Sequence, residues 1–239
     1  FWPTRSGSGD ALTRPARSWV ELAAAILILN ASLSFHNIWP TPWVGWSGEV
    51  SLEFALMALG LTLAPGGRGL SRRALRWITG VWLLLAIGRY VSVTSPALWG
   101  REINFYWDLR FVPDVAAMLA GVTRPGILVA VVTVAVAVFV LGYALLRWAL
   151  GRLSVATAHA GHRRLLRLVS GVAVALFVVQ RASDRIPAMP TFSAPVTGAY
   201  ARQVGFVVQA LIGSRSLPSS PSFDSDLSRV AGADVFLLF

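Results

Sequence analysis

The sequence predicts an all-α integral membrane domain of about five transmembrane helices. An extramembrane linker follows, then the first strand of an α/β domain expected beyond this chain. Three observations predict it. Of 239 residues, 55% are hydrophobic and 13% charged, about half the charge of a typical soluble chain. The 21 basic residues are all arginine. They gather in short segments between apolar runs, as membrane-flanking charges do, and not on one soluble module as nucleic-acid binding would require. Tryptophans flank the same runs, the pattern of an interfacial aromatic belt. With no cysteine, disulfides, thiolate metal sites and Cys nucleophiles are excluded.

A bilayer core of ~30 Å needs about 20 apolar residues in a helix. The first expected span is Ser18–Trp39, closed by Pro40 and Pro42. The second, Gly48–Pro65, ends at a Pro-Gly-Gly breaker. The third, Ala74–Val93, keeps Arg76 and Arg89 near its ends, where they can snorkel. The fourth, Gly126–Leu146, contains no charge. The fifth, Leu165–Gln180, is the shortest.

The arginines orient these spans. Arg5, Arg14 and Arg17 precede the first; Arg68, Arg72, Arg73 and Arg76 stand between the second and third. Arg147, Arg152, Arg163, Arg164 and Arg167 lie between the fourth and fifth. The link between the first two has none. Arginine-dense loops belong to the cytoplasm, so residues 1–17 are expected inside, 18–180 as the bundle, and 94–124 as an outer interfacial loop. Trp39, Trp43, Trp46, Trp99 and Trp107 then fall at the outer boundary, Trp77 and Trp148 at the inner one.

Residues 181–232 read as an external linker. Its Tyr200, Val204, Val207 and Leu211 recur at helical spacing and predict an amphipathic helix. Residues 233–239, "ADVFLLF", suit a buried strand. A lone strand needs a sheet. Together with the opening on Phe1, this leads us to expect a longer protein.

Ionisable groups inside spans are costly and are candidates for function. Glu21 lies near the inner end of the first span, as a helix N-terminal acid would. Glu53 and Arg89 sit at similar depth on antiparallel spans, so an ion pair between them would relieve both desolvation costs. His36 is the one histidine beside a span, whereas a bis-histidine haem needs a facing pair. His36 is expected to hydrogen-bond within the outer loop. No zinc-protease, phosphate-loop or nucleophile-elbow motif occurs.

The outer loop contains "REINFYWDLRFVPD", with five charges in fourteen residues. Tyr106 and Trp107 suit headgroup depth, while Arg101, Asp108 and Arg110 are expected to pair in water. Arg101 and Arg110 could hold an anionic lipid head or lipid-linked glycan, or the loop could dock an external domain. Val115, Met118 and Leu119 would give the next helix an apolar face against the outer leaflet.

"GRYVSVTSPALWGREINFYWDLRFVPDVAAML", with "FHNIWPTPW" before it and "ADVFLLF" after it, resembles the membrane region of bacterial sulfatase-like proteins. These belong to the alkaline phosphatase superfamily, with the phosphoglycerol and phosphoethanolamine transferases and lipoteichoic acid synthases. The distinctive core is Asn104, Tyr106, Trp107 and Asp108. The resemblance implies an anchor in the bacterial cytoplasmic membrane for an external domain that hydrolyses or transfers phosphate or sulfate esters. A divalent metal would belong to that domain; no cofactor, metal ligand or nucleophile carries over to this chain. Two rival readings are a non-catalytic membrane subunit, with other membrane subunits as partners, and a small transporter. The transporter lacks paired polar groups at mid-membrane depth.

Overall fold

The computed structural model describes residues 9–64, 69–182 and 192–212, with side chains from residue 18 onward. The described chain is mostly helical. Among the described residues three helices are long and apolar enough to cross a membrane: α3 (Arg72–Trp99), α6 (Pro125–Ala158) and α7 (Ala160–Ala182). Two shorter apolar helical stretches accompany them, Ser18–Ala31 within α1 (Gly9–Ala31) and α2 (Leu52–Leu63). The expected strand at 233–239 lies outside the described residues.

Several expected spans change length. The first stops as a helix at Ala31 rather than Trp39, because polar side chains there compete for the backbone. Ser32 Oγ bonds Leu29 O at 2.7 Å, and Ser34 Oγ bonds Asn30 O at 2.8 Å. The chain then turns into an antiparallel hairpin, β1 (Phe35–Asn37) with β2 (Val44–Trp46), that leaves Trp39, Trp43 and Trp46 exposed. His36 pairs with Gly45 across it. The second span is helical only over α2's 12 residues, about 18 Å. α3, α6 and α7 are longer than expected, and α3 carries residues 94–99 of the anticipated loop into helix.

The core forms on the last third of α6. Leu146, Ala149, Leu150 and Leu153 are buried against Leu22, Ala25 and Leu29 of α1, Phe54 and Ala58 of α2, Trp82 of α3 and Leu166 of α7. α6 touches α1, α3, α2 and α7, and α2 lies along α7. The first half of α6 is different. From Pro125 to Leu141 no residue is buried and all but Leu128 are exposed. Its valines cover every side of the helix, a surface suited to lipid.

At one end of the bundle, cross-links join the arginine-rich segments: Arg152 to Glu21 at 3.1 Å, Arg167 to Thr62 O at 2.8 Å, and Leu70 N to Ser154 Oγ at 2.6 Å. At the other end lie the hairpin, α4 (Phe105–Asp108), a single 3-10 turn over Leu109–Phe111, and α5 (Val112–Val122), which is exposed throughout. There β3 (Val50–Ser51) pairs in parallel with β4 (Phe192–Ser193). That pairing returns the chain after α7 to the start of α2, and α8 (Pro195–Ile212) follows, packed against α3 and α4.

Candidate functional site

The polar groups of this second end converge on α8. The assembly begins at Asn30, whose side chain ties the end of α1 to the start of α2. Asn30 Nδ2 donates to Glu49 O at 2.7 Å, and Asn30 Oδ1 accepts from Ser51 N at 2.8 Å. Ser51 is fully buried and caps α2, accepting from Phe54 N at 3.3 Å. Its hydroxyl donates to Glu53 Oε2 at 2.7 Å, which fixes the carboxylate's rotamer.

The other oxygen of Glu53 reaches the start of α8. Glu53 Oε1 accepts from Val196 N at 3.1 Å, Thr197 N at 2.7 Å and Thr197 Oγ1 at 2.8 Å. The first N–H groups of a helix have no partner within it and carry partial positive charge, so a carboxylate there serves two needs at once. Ala194, just before the helix, has no side-chain acceptor. Glu53 therefore supplies the cap from another helix.

The anticipated Glu53–Arg89 ion pair is not among the contacts of either residue. Arg89 Nη2 instead donates to Phe35 O at 2.8 Å, and its guanidinium lies 5.9 Å from the Phe35 ring centre. Arg89 still sits in the field of Glu49 and Glu53. The physical reason is competition. The α8 amides occupy Glu53, and the carbonyl left open where α1 turns into the hairpin claims Arg89.

Along α8, Tyr200 and Gln203 make the remaining grips. Tyr200 Oη donates to Leu84 O at 2.8 Å. Its ring rests on Gly88, where any Cβ would overlap the phenol. Gln203 reads one stretch of the loop before α4 with both ends of its amide: Oε1 accepts from Phe105 N at 3.2 Å, and Nε2 donates to Ile103 O at 2.6 Å. Arg202 adds an ion pair to Glu102 at 3.2 Å.

The distinctive loop residues hold one another. Asn104 Oδ1 caps α4, accepting from Tyr106 N and Trp107 N at 3.1 and 3.4 Å. Asp108 accepts from Asn104 N at 2.8 Å and takes Arg101 in a two-pronged pair at 3.0 and 2.9 Å. The Arg101 hydrogen bonds, then the Asn104 amide, hold the Asp108 carboxyl below its usual range, and Asp108 in turn raises Arg101. Arg110 stacks over Tyr106 and Trp107 at 4.6 and 5.0 Å. All six predicted loop residues thus meet in one structure, but Arg101 is committed to Asp108. Arg110 is the cation of the two whose N–H groups have no protein acceptor among the described contacts.

Tyr200 is among the helical positions expected from the sequence, whereas Thr197 and Gln203 are not among its candidates. The signal was present: Thr197, Tyr200 and Gln203 recur every third residue, a polar stripe on one helix face. The cavity enclosed by Gly88, Ser92, Phe105, Tyr200 and Gln203 is about 20 Å³, room for a water and not for an organic substrate. Among the described residues no cluster of three or more His, Cys, Asp or Glu could hold a metal ion. Chemically, this arrangement positions a helix. No protein-family model matches the chain, nor does any curated protein or solved structure.

Proposed function

We propose that this chain is a five-span anchor in a bacterial cytoplasmic membrane. It holds and orients an external sulfatase-like domain that hydrolyses or transfers phosphate or sulfate esters. One observation carries the orienting role: α8, which follows the last long apolar helix, is fastened at its start by Glu53 and along its length by Tyr200 and Gln203. A flexible tether would need none of these bonds. A helix bonded to two separate elements passes its direction to whatever the chain builds after it.

In this reading α1 and α2 complete the five spans. α2 is short, but Gly48–Ser51 before it is non-helical chain whose end is buried on Asn30. Non-helical backbone at membrane depth is tolerated where protein covers it. The arginine end faces the cytoplasm, and the hairpin tryptophans and α8 face outward. An open apolar groove of about 350 Å³ between α2 and α3, lined by Met57, Val81 and Leu85 and ending at Glu53, suits an acyl chain and supports a lipid-linked substrate. The fully exposed α5 favours a second reading, a non-catalytic subunit whose outer surface meets another membrane protein.

The test is a pair of measurements on the natural protein. A reporter fused after Phe239 should be active outside the cytoplasm, and the intact protein should release phosphate or sulfate from an ester in a metal-dependent way. A cytosolic reporter overturns the anchor role. A tight co-purifying partner without ester turnover selects the subunit.

A further inference from the structure

The arginine-rich end holds a cavity that the anchoring role does not use. It lies between α1, the end of α6 and the start of α7, with a volume of about 210 Å³. That is several times the ~30 Å³ a water occupies in the liquid, so it takes a molecular group. Its polar lining is Ser18, Glu21, Arg152, His159 and His162; Leu22, Val155 and Ala156 form an apolar wall.

We propose that this cavity binds the phosphate group of an anionic phospholipid. The donors come first. Arg152 offers one nitrogen to Glu21 at 3.1 Å, so the lone acid of the described lining is already matched in charge. The guanidinium also lies over the Trp148 ring at 6.0 Å, which turns its plane without consuming its other N–H groups. His159 Nδ1 lies 3.1 Å from Val155 O. A carbonyl only accepts, so Nδ1 carries a hydrogen, and Nε2 is left for the ligand, to which it donates when the ring is the imidazolium. His162 stands 5.8 Å from His159, ring to ring, and is held edge-on by Trp19 at 4.1 Å.

Depth and surroundings point to a lipid as the carrier. Trp19 and Trp148 are partly exposed beside the site, as aromatics at headgroup level are. Arg163 and Arg164 continue the positive surface on α7. Basic pockets between membrane helices on the cytoplasmic side suit anionic phospholipid heads. The apolar wall gives the glycerol and upper acyl carbons somewhere to lie, which free phosphate would not need. The proposal stands independently of any external enzyme domain.

The experiment is native mass spectrometry of the full chain released from vesicles of phosphatidylglycerol and phosphatidylcholine. The wild type should retain phosphatidylglycerol preferentially. His159→Gln/His162→Gln should weaken that retention about tenfold, as loss of charge-assisted bonds does; Arg124→Gln, at the opposite end of α6, should leave it intact. Inorganic phosphate added alone separates the sources: displacement at millimolar concentration makes free phosphate a ligand of the same site, and no displacement makes the lipid the carrier. In unmodified protein, phosphatidylglycerol should also shield His159 and His162 from diethyl pyrocarbonate, which keeps the test valid if the double variant fails to fold. No lipid preference, unchanged retention in a folded double variant, or no shielding overturns the site.

Discussion

Glu53 and Asp108 are both carboxylates fixed by hydrogen bonds at the same end of the molecule, yet they hold very different things. Asp108 takes partners four and seven residues away, Asn104 and Arg101. Glu53 takes partners 143 and 144 residues away, the amides that open α8. The first closes a loop on itself; the second joins two distant pieces of the fold. Their surroundings differ in the same sense. Asp108 faces a charged partner in solvent, where the attraction is screened and worth little. Glu53 is half-buried as well, but the amides it accepts from open a helix, and one of them belongs to the buried Val196. Strength and reach coincide at Glu53.

The sharpest way to break that contrast is Glu53→Ala. Three bonds to α8 vanish and the first amides of that helix lose their acceptor. We expect docking of α8 to weaken by about 2–3 kcal/mol, seen as faster tryptic cleavage after Arg202 while the core of α6 stays protected. Glu53→Gln keeps an acceptor oxygen without the charge and should fall between the two. Cleavage at Arg202 unchanged in Glu53→Ala would mean that Tyr200 and Gln203 hold α8 without a cap.

Gly88 tests the second grip. Gly88→Ala puts a methyl where the Tyr200 phenol lies, so Tyr200 must leave Leu84 O or α8 must shift. A clash of this kind costs about 1–3 kcal/mol. In a Tyr200→Ala background the same Gly88→Ala change should cost almost nothing, because the methyl then enters open space. A double-mutant cycle on thermal stability reads that coupling. Additive costs would show that Gly88 matters for some reason other than Tyr200.

These two positions also mark what the sequence could disclose. The three long apolar helices were legible because lipid solvation demands an uninterrupted apolar run, and α6 shows one on every side. Helix ends were less legible. Hydropathy does not register that Asn30, Ser32 and Ser34 bond the backbone and release the chain into a hairpin. Depth along two antiparallel runs put Glu53 and Arg89 at one level, and the structure leaves Arg89 within the field of Glu53. Depth does not give direction, however, and each side chain turned to a backbone group instead. The loop residues Asn104 and Asp108 were singled out for their pattern, and their role follows from local cap geometry. The partner of Glu53 was illegible because nothing in a single sequence says that β4 returns beside β3.

The smallest expected effect belongs to Asp108. Its carboxyl is held below the usual range by Arg101 and by the Asn104 amide, so its contribution is present above the ordinary carboxylate pKa near 4. That contribution is lost as pH falls through the depressed folded value. The loop, not the bundle, should respond. Exchange of the Asn104 amide, which donates to Asp108, should rise several-fold relative to its intrinsic rate on acidification, while global melting barely moves because the pair is solvent-screened. Asp108→Asn should raise that exchange at neutral pH and remove its acid dependence. Were acid instead to release α8 together with the loop, the division between a local carboxylate and a long-range one would fail. Gln203 would then be the link that transmits the change, since among the described contacts it bonds both Ile103 and Phe105 to α8.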